Sequence, residues 1–185
     1  MSVPEAFLTL HREMTRQGPG TPEDLRWALS QIALPEHPRV IDAACGPGAD
    51  LVTLAEALPL AQIEGIDQLD HLVAEARQAV ARFSNVSIKV GDMAALTGPY
   101  DLIWCAGALY FLGVTEGLTA WRRALVAGGV VAFSEPVLDT DAPKAAREFW
   151  AEYPAVTDLN GIRARVEAAG FEVCLLYTSP SPRDS

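Results

Sequence analysis

The segment from Val40 to Gly48 constrains this chain more than any other part of its sequence. A short apolar run, Val40-Ile41, leads to the acid Asp42 and then to Gly46-x-Gly48, after which apolar residues recur at helical intervals. Glycine is required where a chain turns sharply or where its backbone must touch a ligand, because a Cβ would block both. The pattern therefore predicts a strand, a glycine loop and a helix whose free N–H groups face an anionic group.

A second acidic residue stands where such a loop needs one. Asp67 follows Gly48 by 19 residues and ends the next apolar run, where a carboxylate can hold the two hydroxyls of a ribose. Strand, loop, helix, strand and acid together indicate a site for a nucleoside-containing cofactor. A dinucleotide fingerprint would have a third glycine that lets the helix pack against the strand, but Leu51 occupies that position. A nicotinamide-dependent dehydrogenase is therefore the least favoured of the three functions considered below.

Further apolar runs predict the rest of a sheet. Strands are expected at residues 61–66, 86–90, 100–105 and 130–134, with helical stripes between them. Strands separated by helices of about 10–15 residues form βαβ units, which build parallel sheets with right-handed crossovers. Helices are also expected over 141–153, with Asp141 as cap, and 157–169, and a sixth strand is expected to begin at Phe171-Glu172-Val173. We predict an α/β fold, a three-layer sandwich around a mainly parallel sheet.

The two ends of the chain differ from this core. Residues 1–35 are expected to form an N-terminal helical cap, because Ser2 and Glu5 have capping-box spacing and Thr21 precedes a proline at a second helix start. Residues 36–173 form the predicted α/β core. The closing segment 174–185 ends in LLYTSPSPRDS, which resembles translated sequencing-adapter read-through, so we expect it to be a non-native tail on a chain cut short at its C-terminus. A disordered terminus is the alternative.

Composition excludes several classes of partner. The chain has 185 residues, half of them hydrophobic, and a formal charge of −10, which disfavours nucleic acid and anionic lipid because both require clustered Lys and Arg. Cys45, Cys105 and Cys174 lie far apart, which favours a reducing compartment. Apolar residues nowhere run together for the roughly 18 positions that a membrane helix needs. We expect a cytoplasmic protein, and His37 and His71 lack the spaced partners of a metal site.

The run VIDAACGPG resembles the first motif of the class I S-adenosylmethionine-dependent methyltransferases, with Ala44 in place of the more common first glycine. The runs IEGIDQ, VGDMAAL, YDLIWCAGALYFL and ALVAGGVVAFSEP resemble the second to fifth motifs, although Ala127 stands where proline is usual. EAAGFEV is similar to the last helix and penultimate strand of the family. HREMTRQGPG and EFWAEYP are similar to a subgroup of bacterial small-molecule methyltransferases, in which these segments would cover the pocket.

The resemblance implies a function and a set of site residues. It implies methyl transfer from S-adenosylmethionine to a small-molecule acceptor by in-line displacement, for which the protein mainly aligns the reacting atoms. The expected cofactor contacts are Asp42, Gly46 and Gly48 with the methionine part, Asp67 and its neighbour Gln68 with the ribose, Asp92 and Met93 with the adenine, and Cys105 and Ala106 beneath the cofactor. His11, Tyr110 and Glu135 are candidate bases by position only.

Simpler interpretations remain open at this point. Asp67 could cap a helix, Asp92 could cap a turn, and the glycines could form an ordinary strand–helix connection. The chain could also be a noncatalytic or truncation-disabled S-adenosylmethionine-binding domain. The fourth strand is not followed by the Asn/Asp-Pro-Pro-Tyr run typical of nucleic-acid amino methylation, which supports a small-molecule acceptor. The sequence indicates no oligomeric state.

Overall fold

A five-stranded parallel sheet forms the centre of the protein. The computed structural model describes residues 16–18, 20–151, 153 and 155–178. The strands are β1 (Arg39–Ala43), β2 (Gln62–Asp67), β3 (Val86–Val90), β4 (Tyr100–Ala106) and β5 (Leu125–Ser134), in the order β3-β2-β1-β4-β5. Every pair of neighbouring strands is parallel. The predicted α/β sheet is confirmed.

Helices cover both faces of the sheet. Those in the described part of the chain are α1 (Pro22–Ser30), α2 (Ala49–Ala57), α3 (Asp70–Ala79), α4 (Val114–Trp121), α5 (Lys144–Trp150) and α6 (Leu159–Ala168). Successive residues of β1 point to opposite faces, as the strand pleat requires. Val40 packs with Leu51 and Leu54 of α2, whereas Ile41 packs with Leu118 of α4 on the other face. Two apolar cores therefore separate three layers, as predicted.

The strand order places a crevice at one edge. Going outward from β1, the chain winds to β2 and β3 on one side and to β4 and β5 on the other. In such doubly wound sheets, ligands bind beyond the carboxyl ends of the strands where the winding reverses. That point lies between β1 and β4, directly above the glycine loop. None of the helices in the described ranges is both long and apolar enough to span a bilayer.

The N-terminal prediction is confirmed only where the structure describes it. The second predicted helix is α1, which begins with a capping box between Thr21 and Asp24 and has Pro22 at its first position. The first predicted helix, which includes His11, lies outside the described residues. The division into a cap of 1–35 and a core of 36–173 stays a prediction.

Two expectations near the C-terminal end are wrong. Asp141 does not cap a helix, because α5 begins later, with Pro143 at its N-cap. Phe171-Glu172-Val173 does not form a strand, and residues 171–178 have no regular secondary structure. The Arg122 guanidinium lies instead over the Phe171 ring, with its central carbon 5.4 Å from the ring centroid. Among the described residues, β5 has no neighbour on its outer edge. Phe171 and Val173 thus pack against the core as side chains rather than pairing as a strand.

Trp121 should be a main contributor to stability. It is fully buried and its Nε1 donates a hydrogen bond of 2.7 Å to the carbonyl of Met93. Trp121→Phe should lower the free energy of unfolding by about 2–4 kcal/mol, through the smaller volume and the carbonyl left without a donor. The control is Trp27→Phe, since Trp27 is 40% exposed, and it should cost less than about 0.5 kcal/mol. Urea unfolding followed by circular dichroism measures both, and equal losses would contradict the assignment.

Candidate functional site

The glycine loop after β1 turns through three left-handed residues. Ala44, Gly46 and Gly48 have φ values of 68°, 53° and 93°, a conformation that glycine adopts most easily. A Cβ on Gly46 would meet no described atom within 4 Å, whereas one on Gly48 would lie 3.0 Å from Ala76 of α3. The two glycines therefore serve different needs. Gly46 presents bare backbone to the crevice, and Gly48 lets α2 begin close against α3.

Asp67 ties this loop to the end of β2. Its Oδ2 accepts a hydrogen bond of 2.9 Å from the backbone N–H of Gly46, and its Oδ1 accepts one of 2.9 Å from Leu69. The backbone N–H of Cys45 also donates to the carbonyl of Ile66, at 2.9 Å. A carboxylate has about four lone-pair sites, so these two bonds leave acceptor positions for ligand hydroxyls. Asp67 therefore orders the loop and can also hold a ligand.

A third acid stands beyond β3, next to the second. Asp92 Oδ1 accepts from the backbone N–H of Ala94 at 2.8 Å and from Gln68 Nε2 at 3.3 Å. Asp92 thus caps the short turn that follows, as the simpler interpretation expected, while its Oδ2 takes part in neither bond. Met93 is buried directly behind it. Gln68 joins the ends of β2 and β3, so the predicted ribose and adenine residues do come together.

A buried carboxylate pair lies on the methionine side of the predicted site. Asp42 and Asp50 are 2% and 6% exposed, and Asp50 accepts a hydrogen bond of 2.9 Å from Trp104 Nε1 and forms an ion pair with Arg16. Asp42 Oδ2 is buried and has no partner among the described residues. Burial raises the pKa of Asp42 well above its usual 3.8, the charge of Asp50 raises it further, and Arg16 opposes both. Asp42 therefore lacks a cationic donor of its own.

Sequence reasoning missed this network. Arg16 and Trp104 lie 34 and 54 residues from Asp50 along the chain. Considered by itself in the sequence, Trp104 is typical of a core residue. The available signal was Asp50 itself, a charged residue on the apolar face of α2. Residues 16–18 cross the crevice here, because a Cβ on Gly18 would lie 3.4 Å from the carbonyl oxygen of Ala106 at the end of β4.

The cysteines of the site are buried rather than reactive. Burial raises the pKa of the Cys45 and Cys105 thiols far above their usual value, and nearby carboxylates act in the same direction. The carboxylates that act on Cys105 are Asp42 and Glu135, so these two acids flank the end of β4. A thiol that stays protonated is a poor nucleophile. Cys105 and Ala106 therefore shape the floor of the crevice.

The candidate base after β4 lines a large cavity, and the candidate base after β5 has a buried oxygen. Tyr110 lines a space of about 580 Å³ together with Phe111, Leu112, Gly113, Val114, Thr115, Glu116, Tyr153, Ala155 and Arg165. Burial, Tyr153 and Glu135 raise the pKa of Tyr110 to about 12, which makes it a weak base candidate at neutral pH. Glu135 has a buried Oε1 without a partner among the described residues. A smaller space of about 190 Å³ lies at the opposite end of the sheet, before β1 and β2.

The third candidate base, His11, lies outside the described residues. Within the described ranges, no three His, Cys, Asp or Glu side chains come together as ligands for a metal ion. The described part of the site consists of acidic side chains, exposed loop backbone and aromatic residues.

Comparisons with known proteins agree with this geometry. A family model described as "Methyltransferase domain" matches residues 40–129. A trans-aconitate 2-methyltransferase of Acidovorax sp. (strain JS42) is 31% identical over 131 residues, which are 68% of this chain and 50% of that protein. The trans-aconitate 2-methyltransferase of Deinococcus radiodurans is 33% identical over 110 residues, 57% of this chain and 42% of its own. The chain spans about half the length of the curated relatives it matches.

Solved structures show the same fold. An S-adenosylmethionine-dependent methyltransferase from Thiobacillus denitrificans, in complex with S-adenosylhomocysteine, aligns with a TM-score of 0.77 at 23% identity, over 92% of this chain and 72% of its own. A second one, from Geobacter sulfurreducens, aligns with a TM-score of 0.74 at 22% identity, over 91% and 71%. Residues 40–129 therefore carry a methyltransferase domain, and its glycine-loop sequence resembles that of the class I S-adenosylmethionine-dependent methyltransferases.

Proposed function

We propose that the protein binds S-adenosylmethionine beyond the carboxyl ends of β1 to β4 and transfers its methyl group to a small-molecule acceptor. When bound, the cofactor supplies a methyl group that its positively charged sulfur already makes electrophilic. The protein then has to hold the acceptor, the methyl carbon and the sulfur in line. The observation that carries this proposal is the buried oxygen of Asp42, which has no partner among the described residues, together with the open space at Gly46.

The methionine part fits the buried acids. Asp42 Oδ2 needs a donor, and an α-ammonium group is a charged donor of the right kind. A Cβ on Gly46 would meet no described atom within 4 Å, so a ligand can approach this part of the loop closely. Gly48 starts α2, whose first N–H groups favour a carboxylate. Arg16 ties residues 16–18 to Asp50 across this region, so it helps to close the site against water.

The nucleoside part fits the ends of β2 and β3. Asp67 keeps free acceptor positions for ribose hydroxyls, and Gln68 beside it links to Asp92. Asp92 Oδ2 can accept from an adenine amino group, and Met93 forms the apolar surface behind it. The end of β4 at Cys105 and Ala106 then lies under the reacting carbon.

The acceptor side and the cell compartment complete the proposal. A formal charge of −10 argues for a small molecule and against nucleic acid as partner. Three scattered cysteines, two of them buried, suit the reducing conditions of the cytoplasm. We place residues 16–18 in the predicted cap of 1–35 and the cofactor site in the core of 36–173.

Asp67 provides the first test. Asp67→Asn removes the charge that would hold the ribose, so affinity for S-adenosylhomocysteine should fall roughly ten- to hundredfold, as for other charge-assisted hydrogen bonds. The matched control is Asp70→Asn, three residues along on the exposed start of α3, which should bind normally. Isothermal titration calorimetry measures both. Equal affinities for all three proteins would contradict the assignment, and tight binding of NAD would favour a dehydrogenase.

Asp42 provides the second test. Burial raises the pKa of Asp42, so protonation of this carboxyl competes with an incoming ammonium group as pH falls. Affinity for S-adenosylhomocysteine should therefore weaken as pH falls through the pKa of Asp42, and binding should release protons. Asp42→Asn should abolish this pH dependence. Calorimetry in buffers of different ionisation enthalpy reports the proton release, and a wild-type affinity that does not change with pH would contradict the role of Asp42.

A further inference from the structure

Glu135 lies where an acceptor would meet the cofactor. It directly follows β5, whose last residue Ser134 pairs with Ala106 of β4 and accepts a hydrogen bond of 3.3 Å from the backbone N–H of Gly107. Its Oε1 is buried and has no partner among the described residues. The carboxylate of Glu135 is therefore close to the floor of the cofactor crevice, on the side away from Asp67.

The cavity after β4 opens on the same side. Tyr110 belongs to the short 3-10 turn Leu109–Phe111 and lines this cavity. The Tyr110 ring packs edge-on against Tyr153 at 5.4 Å and Trp150 at 5.8 Å between centroids. An aromatic surface next to a carboxylate suits an acceptor with a flat apolar body.

The charges of the cavity do not suit a polyanion. Of its described lining residues, Arg165 is the one cation, and its guanidinium already donates to the carbonyl of Ala155. Glu116, an acid, lines the same space. Trans-aconitate, named in the relatives, is a tricarboxylate and would bring three negative charges against this one guanidinium. Its carboxylates are also ionised at neutral pH, so their methylation needs no base.

On the basis of the methyl transfer proposed above, we propose that Glu135 is the general base and that the acceptor is an aromatic or similarly flat molecule with a neutral hydroxyl group. The Glu135 carboxylate takes the hydroxyl proton. The acceptor oxygen forms a bond to the methyl carbon as the carbon–sulfur bond breaks. The electron pair of that bond goes to the sulfur, which becomes a neutral thioether. The products are a methyl ether, S-adenosylhomocysteine and a protonated Glu135.

The surroundings of Glu135 suit this role. Burial raises its pKa from the usual 4.5 to about 7, against the opposing effects of the Tyr110 backbone N–H and Arg165. The groups that face it are Tyr110 after β4, Cys105 on β4 and Arg165 on α6. A base works best when its pKa lies near the operating pH. Turnover of a hydroxyl acceptor should therefore rise as pH increases through about 7, where Glu135 loses its proton.

Two phenols test the base directly. At about pH 8, 4-methylphenol keeps its proton, like tyrosine with a pKa of about 10, whereas 4-nitrophenol has largely lost it. In the full chain, Glu135→Gln should lower kcat/KM for 4-methylphenol by roughly 10²- to 10⁴-fold and for 4-nitrophenol by less than roughly tenfold. The control is Glu75→Gln, an exposed glutamate of α3, which should affect neither. Release of S-adenosylhomocysteine is the readout.

Each outcome is decisive. Equal losses with the two phenols, or no loss, would overturn the role of Glu135 while leaving methyl transfer in place. A wild-type protein that binds S-adenosylhomocysteine but methylates trans-aconitate and neither phenol would overturn the acceptor class. A wild-type protein that does not bind S-adenosylhomocysteine would overturn the proposed function as well.

Thermal unfolding without cofactor supplies an independent readout. Because the folded protein raises the pKa of Glu135 above its unfolded value, this group's stabilisation is complete at acid pH and is lost as pH rises through about 7. A glutamine side chain carries no charge at any pH, so Glu135→Gln should raise Tm relative to wild type at about pH 8 and not at about pH 4. A Tm lowered equally at both pH values would show that Glu135 is a structural residue and overturn the proposal.

Discussion

The backbone reversal at the end of β1 is the constraint on which the site depends. Three residues in five, Ala44, Gly46 and Gly48, take left-handed conformations so that the chain can leave the sheet and start α2 within one turn. This reversal leaves the N–H of Gly46 facing Asp67, which fixes the loop to the end of β2. It also leaves Asp42 enclosed at the strand end. Loop shape, acid placement and helix start thus have one common cause.

Local sequence patterns predicted whatever depends on nearest neighbours. The β1 segment, the glycine loop and Asp67 follow from residue types whose conformational needs are specific, and β3 was predicted at its observed bounds. The strand order follows from the alternation of strands and helices. Even the preference for glycine at position 44 has a visible reason, because Ala44 adopts a φ of 68° that an alanine rarely takes.

Long-range contacts were beyond the reach of such patterns. Nothing near Asp50 indicates that its charge is met by Arg16 and its second oxygen by Trp104, since these pairings depend on how distant segments fold together. For the same reason, the sequence did not reveal that the missing Cβ of Gly48 also makes room for α3. Phe171 is of a residue type that is common in strands, but it packs beneath Arg122 and does not join the sheet. The sequence predicts that Glu135 lies at the site, but it does not predict that the side chain is buried.

The accessibility of the three thiols differs sharply, and this has a practical consequence. Cys174 is exposed, whereas Cys45 and Cys105 are buried and hold their protons because burial raises their pKa. A maleimide dye should therefore attach to Cys174 alone in the closed protein. Slow labelling of the two buried thiols would then measure how often the carboxyl end of the sheet opens. It would therefore report local unfolding at the crevice.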